Sequence, residues 1–287
     1  MPSTQPFSTH HPSIILLVLL GLFSFCKARA QNSSSSTDST DRSPLFTSFD
    51  GTKIHYEIEG KGKPVVLIHG FINTSDNWKK SPLFQDLLKN DFQVINLDLR
   101  GNGKSDHPHA LASYQHDAEA QDIMDLAKFL GLKHYAVVGY SRGSIIAARL
   151  LVLAKGVQVG VLGGMGSGFT DPHWERREAF YRAFSGEADV PAYTKGAVNY
   201  AKSIGADIVA LAQMQGAQPS TSPEELRRLK KPVLVIAGDK DVDNGSAAEL
   251  TQLLGNATYE SVTDGDHNNT MRRAEFSTAV VNFLKTH

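Results

Sequence analysis

Five consecutive residues, Gly139-Tyr140-Ser141-Arg142-Gly143, carry the strongest chemical signal in the chain. They follow an apolar run at 134–139 and lead into a mostly apolar helical pattern at 144–154. A Ser with Gly two residues to either side, between a strand and a helix, suits a sharp turn that lifts its hydroxyl clear of a sheet. Larger side chains at the two Gly positions would collide across such a turn. The helix that follows directs the positive end of its dipole toward the Ser, where it favours developing negative charge. The chemistry this setting allows is nucleophilic attack by Ser141 on a carbonyl, with the backbone N–H of Arg142 as one donor to the oxyanion.

A Ser hydroxyl needs a base to become an effective nucleophile. In a turn of this type the acid and the His follow the Ser in chain order. Only His173, His267 and His287 lie beyond Ser141. His267 sits in Asp264-Gly265-Asp266-His267, between a strand pattern and a helical pattern, and is the candidate base. The acid must hold the other ring nitrogen. The apolar run 232–238 ends just before Asp239-Lys240-Asp241-Val242-Asp243, so Asp239, Asp241 and Asp243 are all open at this point.

The elements that must position these residues are legible as patterns. Short alternating runs at 45–49 and 53–59 flank Asp50-Gly51 and read as a hairpin. Continuous apolar runs at 64–69, 92–98, 134–139, 157–162 and 232–238 read as strands buried on both faces, with a further strand at 257–262. Between them, helical spacing appears at 81–88, 115–130, 144–154, 247–254 and 273–284. Strands alternating with helices predict an α/β protein whose mostly parallel, eight-stranded sheet carries helices on both faces. Residues 165–225 break this rhythm with Gly clusters and aromatics, and read as a short helical cap over the carboxyl edge of the sheet. Met165, Phe169 and Trp174, together with Phe71, are the candidate walls of a modest, partly apolar substrate pocket.

On these motifs, residues 44–287 resemble the α/β-hydrolase superfamily. The resemblance implies a G-x-x-D pattern after the strand at 232–238, which selects Asp241 as the acid. It also implies a second oxyanion donor in His69-Gly70-Phe71, namely the N–H of Phe71. The segment 98–106, DLRGNGKSD, looks like the D-x-R-G-x-G-x-S turn of the family, and is read as a structural turn in which Asp98 and Arg100 pair. Trp78 occupies another family-like position, as packing or pocket wall. His69 precedes the Ser and is read as a structural residue. Arg142 departs from the small or apolar residue common at its position, and its side chain is expected beside the pocket or on a cap carboxylate. Ser at the elbow differs from the Asp that haloalkane dehalogenases and epoxide hydrolases place there.

Composition excludes several classes. The 287 residues hold 29 Lys and Arg against 30 Asp and Glu, so no basic footprint argues for nucleic acid. A single Cys, Cys26, excludes an internal disulfide, and no Cys/His cluster has metal-ligand spacing. The apolar run 14–25 is shorter than the roughly 20 residues a membrane-spanning helix needs. It fits the core of a secretory signal peptide at 1–30, with Ala28-Arg29-Ala30 as the cleavage site. A lipid anchor on Cys26 is the weaker alternative, because Phe25 stands where a small residue is wanted. Residues 31–43 read as a disordered polar linker. Sequons at Asn32, Asn73, Asn256 and Asn268 read as chance, the last lying beside His267.

The resulting expectation is an exported serine hydrolase acting on a small ester, thioester or lactone, without cofactor or metal and without a membrane span in the mature chain. A carbon–carbon hydrolase, an amidase or a cofactor-free haloperoxidase are alternatives on the same scaffold. A non-catalytic binding protein on this fold is the rival class, and typically lacks one of the three residues Ser, acid and His.

Overall fold

The computed structural model describes residues 44–287. The expected leader at 1–30 and linker at 31–43 lie outside the described residues. The sheet is built from β1 (Leu45–Thr47), β2 (Lys53–Gly60), β3 (Lys63–Ile68), β4 (Phe92–Leu97), β5 (Tyr135–Tyr140), β6 (Val157–Gly163), β7 (Val233–Gly238) and β8 (Ala257–Val262). Its strand order is β1-β2-β4-β3-β5-β6-β7-β8. β1 and β2 pair antiparallel, as do β2 and β4, and every other neighbour pairs parallel. The expected mostly parallel, eight-stranded α/β sheet is therefore the fold observed.

The continuous apolar runs have a direct physical cause. Successive side chains of a strand point to opposite faces, so a strand covered on both faces needs apolar residues at every position. In β3, Val65 and Leu67 join one buried cluster while Val66 and Ile68 join the other. β7 repeats this, with Leu234 and Ile236 on one face and Val233, Val235 and Ala237 on the opposite one. The helices α1 (Asp76–Lys79) and α2 (Pro82–Lys89) share a cluster with α10 (Ala274–Thr286), through Trp78, Leu83, Phe84, Leu87, Phe276 and Val280. Trp78 is fully buried in this cluster and is packing, not pocket wall.

The other face is covered by α3 (Ala118–Phe129), α4 (Arg142–Leu153) and α9 (Ala247–Leu253). The helical pattern expected from residue 115 begins at Ala118, because His116 and Asp117 both take positive φ, at 57° and 59°, and form a turn. α4 begins at Arg142, two residues earlier than the pattern suggested, and is buried on all sides from Arg142 to Leu151. Its apolar residues fall on every side, as a position beneath a sheet and between other helices requires, and its two arginines are matched by carboxylates.

Between β6 and β7 the chain forms a 3-10 turn at Ser167–Thr170, then α5 (Glu175–Phe184), α6 (Ala192–Ser203), α7 (Ile208–Gly216) and α8 (Pro223–Arg227). The first three share their own cluster, in which Phe184, Ala201, Leu211 and Met214 surround Ile72 and Tyr114. α8 belongs instead to the sheet region. Its Leu226 joins the cluster under α4, and Arg149 of α4 donates to Glu225 at 2.9 Å and to Asp117 at 2.9 and 2.7 Å. Among the described residues, no helix is long and apolar enough to cross a membrane.

Candidate active site

Ser141 stands at the junction of β5 and α4 with φ 54° and ψ −125°, a backbone conformation uncommon for any residue but Gly. The close packing around it requires the flanking glycines. A Cβ on Gly143 would lie 2.1 Å from the carbonyl oxygen of Ile68, and one on Gly139 would lie 2.3 Å from the carbonyl oxygen of Gly143. The turn is pinned by backbone bonds: the Ser141 N–H donates to Gly163 at 2.8 Å, and the Ser144 N–H donates to Ser141 at 2.8 Å.

Three of the sequence-derived residues meet here. Ser141 Oγ lies 2.9 Å from His267 Nε2, and His267 Nδ1 lies 2.9 Å from Asp241 Oδ2. The Asp241 side chain is 2% exposed, whereas that of His267 is 25% exposed. A buried carboxylate on Nδ1 fixes the tautomer with its proton there, and leaves the Nε2 lone pair facing the Ser hydroxyl. The two loops are tied to each other through the backbone, by the Asp239 N–H donating to Val262 at 3.1 Å and the Lys240 N–H to Gly265 at 2.9 Å. Of the three carboxylates left open, Asp239 makes no side-chain hydrogen bond among the described residues, and Asp243 faces Arg176 at 3.5 Å.

Phe71 and Arg142 are also adjacent to the Ser. A Cβ on Gly70 would come within 3.2 Å of Ser141 Cβ, so the loop carrying Phe71 abuts the Ser side chain. Neither the Phe71 N–H nor the Arg142 N–H has an acceptor among the described residues. His69 is structural. Its Nδ1–H donates to Gly70 at 2.8 Å and its Nε2 accepts the Leu99 N–H at 3.0 Å. Burial pushes its pKa down, against the pull of the nearby Asp98 carboxylate, and keeps the ring neutral.

Two expectations are corrected, for Phe169 and for the Asp98–Arg100 pair, and an open one, for Arg142, is decided. Phe169 does not line the cavity: it is 1% exposed, packs in the core under the sheet, and its carbonyl accepts a bond from Ser220 Oγ at 2.8 Å. Of the two places expected for the Arg142 side chain, it takes the one beside the cavity, and only the alternative, a cap carboxylate, is not met. The guanidinium pairs with Glu119 of α3 through two bonds of 2.6 Å, and a further bond of 3.2 Å goes to the Met214 carbonyl in the cap. Asp98 and Arg100 do not pair with each other. Arg100 reaches Asp50 and Asp122, while Asp98 takes His55 Nδ1 at 2.9 Å and the N–H groups of Ser75 and Lys104 at 2.7 and 2.9 Å.

Sequence reasoning missed several residues. Tyr140 donates its hydroxyl proton to the His267 carbonyl at 2.8 Å, holding the His loop over β5. Burial, reinforced by the Asp241 charge, pushes the Tyr140 phenol above its usual range and keeps it a donor. The Asn244 side-chain nitrogen lies 3.2 Å from His267 Nδ1 and donates to Gly164 at 3.3 Å. Glu119 lies 23 positions from Arg142, and no local pattern links them.

The site opens into a cavity of about 590 Å³, large enough for a small molecule. Phe71, Met165 and Trp174 are among its lining residues. Arg176, Arg177, Gln215 and Gln218 line it as well, so its wall is more polar than the aromatic content of the cap suggested. No group of three or more His, Cys, Asp or Glu with metal-holding geometry occurs among the described residues.

Comparison with known proteins places this architecture. Residues 63–162, which include the Ser141 turn, match the family described as alpha/beta hydrolase fold. A putative non-heme chloroperoxidase of Synechocystis sp. is 28% identical over 81% of this chain and 95% of its own length. A non-heme haloperoxidase of Rhodococcus erythropolis is 34% identical over 42% of this chain and 44% of its own. The esterase structure from Exiguobacterium antarcticum superposes with a TM-score of 0.70 at 21% identity, over 84% of this chain and 98% of that one. The described residues therefore have the alpha/beta hydrolase fold, and residues 63–162, with the turn at Ser141, match its family model.

Proposed function

We propose that this protein is a serine hydrolase that cleaves a small carboxylic ester, thioester or lactone. The observation that carries this reading is the continuous line from Ser141 Oγ through His267 to Asp241, with both links at 2.9 Å. Ser141 attacks the acyl carbon while His267 Nε2 takes its proton. Asp241 accepts the Nδ1–H and stabilises the imidazolium that forms. The tetrahedral oxyanion rests on the N–H groups of Phe71 and Arg142. Collapse breaks the ester bond, and the leaving alcohol or thiol takes the proton from Nε2. Water then attacks the acyl-enzyme by the same route and releases the acid, leaving Ser141 free. A lactone yields its hydroxy acid in the same two steps.

The names of the haloperoxidase relatives favour a second reading on the same residues. Hydrogen peroxide in place of water would attack the acyl-enzyme and release a peracid, itself an oxidant for halide. We also propose that residues 1–30 are a leader cleaved after Ala30, and that the protein is exported.

The test is hydrolysis of a chain-length series of p-nitrophenyl esters by the wild type and by Ser141→Ala. The variant is expected to lose at least about 10⁴-fold in kcat. Full activity in the variant, or no hydrolysis of any ester by the wild type, overturns the reading.

A further inference from the structure

The charge of the cavity wall is one-sided. Three arginines, Arg176, Arg177 and Arg272, line the cavity that holds Ser141, against a single acidic residue, Asp243. Arg142 also reaches the cavity, but its charge is already matched by Glu119. The three outer guanidinia are not matched in this way. The Arg272 side chain has no hydrogen bond or ion pair among the described residues. Arg177 comes only within 3.6 Å of its neighbour Glu178, whose side chain is 48% exposed. At that separation, with Glu178 open to solvent, the pair holds little energy.

Arg176 is held for a different purpose than a salt bridge. Its guanidinium lies over the rings of Phe180 and Tyr193, at 5.2 and 5.0 Å, which come from α5 and α6. Two aromatic faces fix the plane of the fork and leave its N–H edges free, whereas Asp243 stands at 3.5 Å, at the outer limit of a hydrogen bond. A planar guanidinium held in this way is suited to two-pronged recognition of a carboxylate. Beside it Arg177, on the same turn of α5, adds a second charge, and Arg272 enters from the chain five residues after His267.

Resting on the serine-hydrolase reading, we propose that the substrate carries a carboxylate of its own, remote from the carbonyl that Ser141 attacks, and that Arg176 and Arg177 bind it. The preferred ester is thus a half-ester of a short dicarboxylic acid or an equivalent acid-bearing ester. Binding displaces Asp243 from Arg176, and Arg272 at the rim draws the anion in from solvent.

The test compares mono-p-nitrophenyl glutarate with p-nitrophenyl pentanoate, in which a methyl group replaces the carboxylate. The wild type is expected to favour the anionic ester in kcat/KM by roughly ten- to a hundredfold, the range set by charge-assisted hydrogen bonds. That ratio falls toward one in Arg176→Gln/Arg177→Gln, is partly kept in Arg176→Lys/Arg177→Lys, and shrinks with added salt. A second measurement needs no turnover: glutarate is titrated calorimetrically into Ser141→Ala, with glutaramide as the neutral control. Arginine-dependent binding of glutarate alone supports the anion site even if no ester is hydrolysed, and the hydrolase reading then falls by itself. Hydrolysis of both esters through Ser141 with a ratio of one or less overturns this inference and leaves the hydrolase reading standing. A preference that survives the double Gln variant also overturns it.

Discussion

Glu119 grips the Arg142 guanidinium with both carboxylate oxygens, at 2.6 Å each, with the two side chains 2% and 3% exposed. The pair sits one residue beyond Ser141, and the same guanidinium reaches the Met214 carbonyl in α7 at 3.2 Å. One buried ion pair thus joins the start of α4, helix α3 and the cap. Removing one partner leaves an uncompensated buried charge. Glu119→Gln is expected to cost about 3–5 kcal/mol, read as a lowered urea midpoint. The volume-conserving pair Arg142→Met/Glu119→Leu should recover most of that loss. A Glu119→Gln protein with wild-type stability would contradict the assignment.

The Asp at the His is separable from its neighbours by substitution. Asp241→Asn keeps the shape but offers Nδ1 an amide, so the ring no longer holds its proton there. A drop of about 10⁴-fold in kcat is expected, by analogy with the same change in a known triad. Asp239→Asn, whose side chain makes no hydrogen bond among the described residues, should leave ester hydrolysis near the wild-type rate. Equal effects of the two substitutions would show that the acid has been misplaced.

The Ser141 turn leaves no room at Gly143. A methyl group there would sit 2.1 Å from the carbonyl of Ile68, a backbone atom that cannot swing aside. Gly143→Ala is expected to destabilise by at least about 1–3 kcal/mol, the usual cost of overpacking, and to lower Tm in a thermal melt. Gly196→Ala is the control, since an added Cβ there meets nothing within 4 Å. Indistinguishable melts for the two variants would refute the packing account.

Acid should unfold the protein partly through Asp98. Burial raises the pKa of this carboxyl, but the hydrogen bonds it accepts from the N–H groups of Lys104 and Ser75 favour its charged form and hold the group below its ordinary 3.8. A folded-state value below the unfolded one means that folding releases protons. The stabilisation is therefore present above about pH 4 and is lost as pH falls through the folded value. Stability measured by urea unfolding should fall steeply below pH 4, and Asp98→Asn should flatten that fall while lowering stability at neutral pH. An unchanged acid slope in Asp98→Asn would remove Asp98 from this role.

The fold was legible because its strands are buried on both faces, so β3, β5 and β7 appear as unbroken apolar runs between helical patterns. Ser141 was legible for a local reason: the turn leaves space only for Gly at 139 and 143, and that restriction is written into five consecutive residues. His267 could be placed by its position after a strand end, whereas that position left three carboxylates open and only the resemblance to a family pattern selected Asp241; the fold alone brings residues 126 and 26 positions apart within 2.9 Å. Phe169 was misassigned because an aromatic in an irregular segment has no periodicity to show which way it faces. The partners of Arg142, Asp98 and Arg100 had no local signal either. An ion pair is a contact between surfaces that meet only after the sheet has been covered, and nothing in the residues between Glu119 and Arg142 encodes that meeting. The same holds for the cavity wall. Sequence marked the cap as aromatic, and tertiary structure decided that Arg176 stacks on two of those rings and that Arg176 and Arg177 line the cavity holding Ser141.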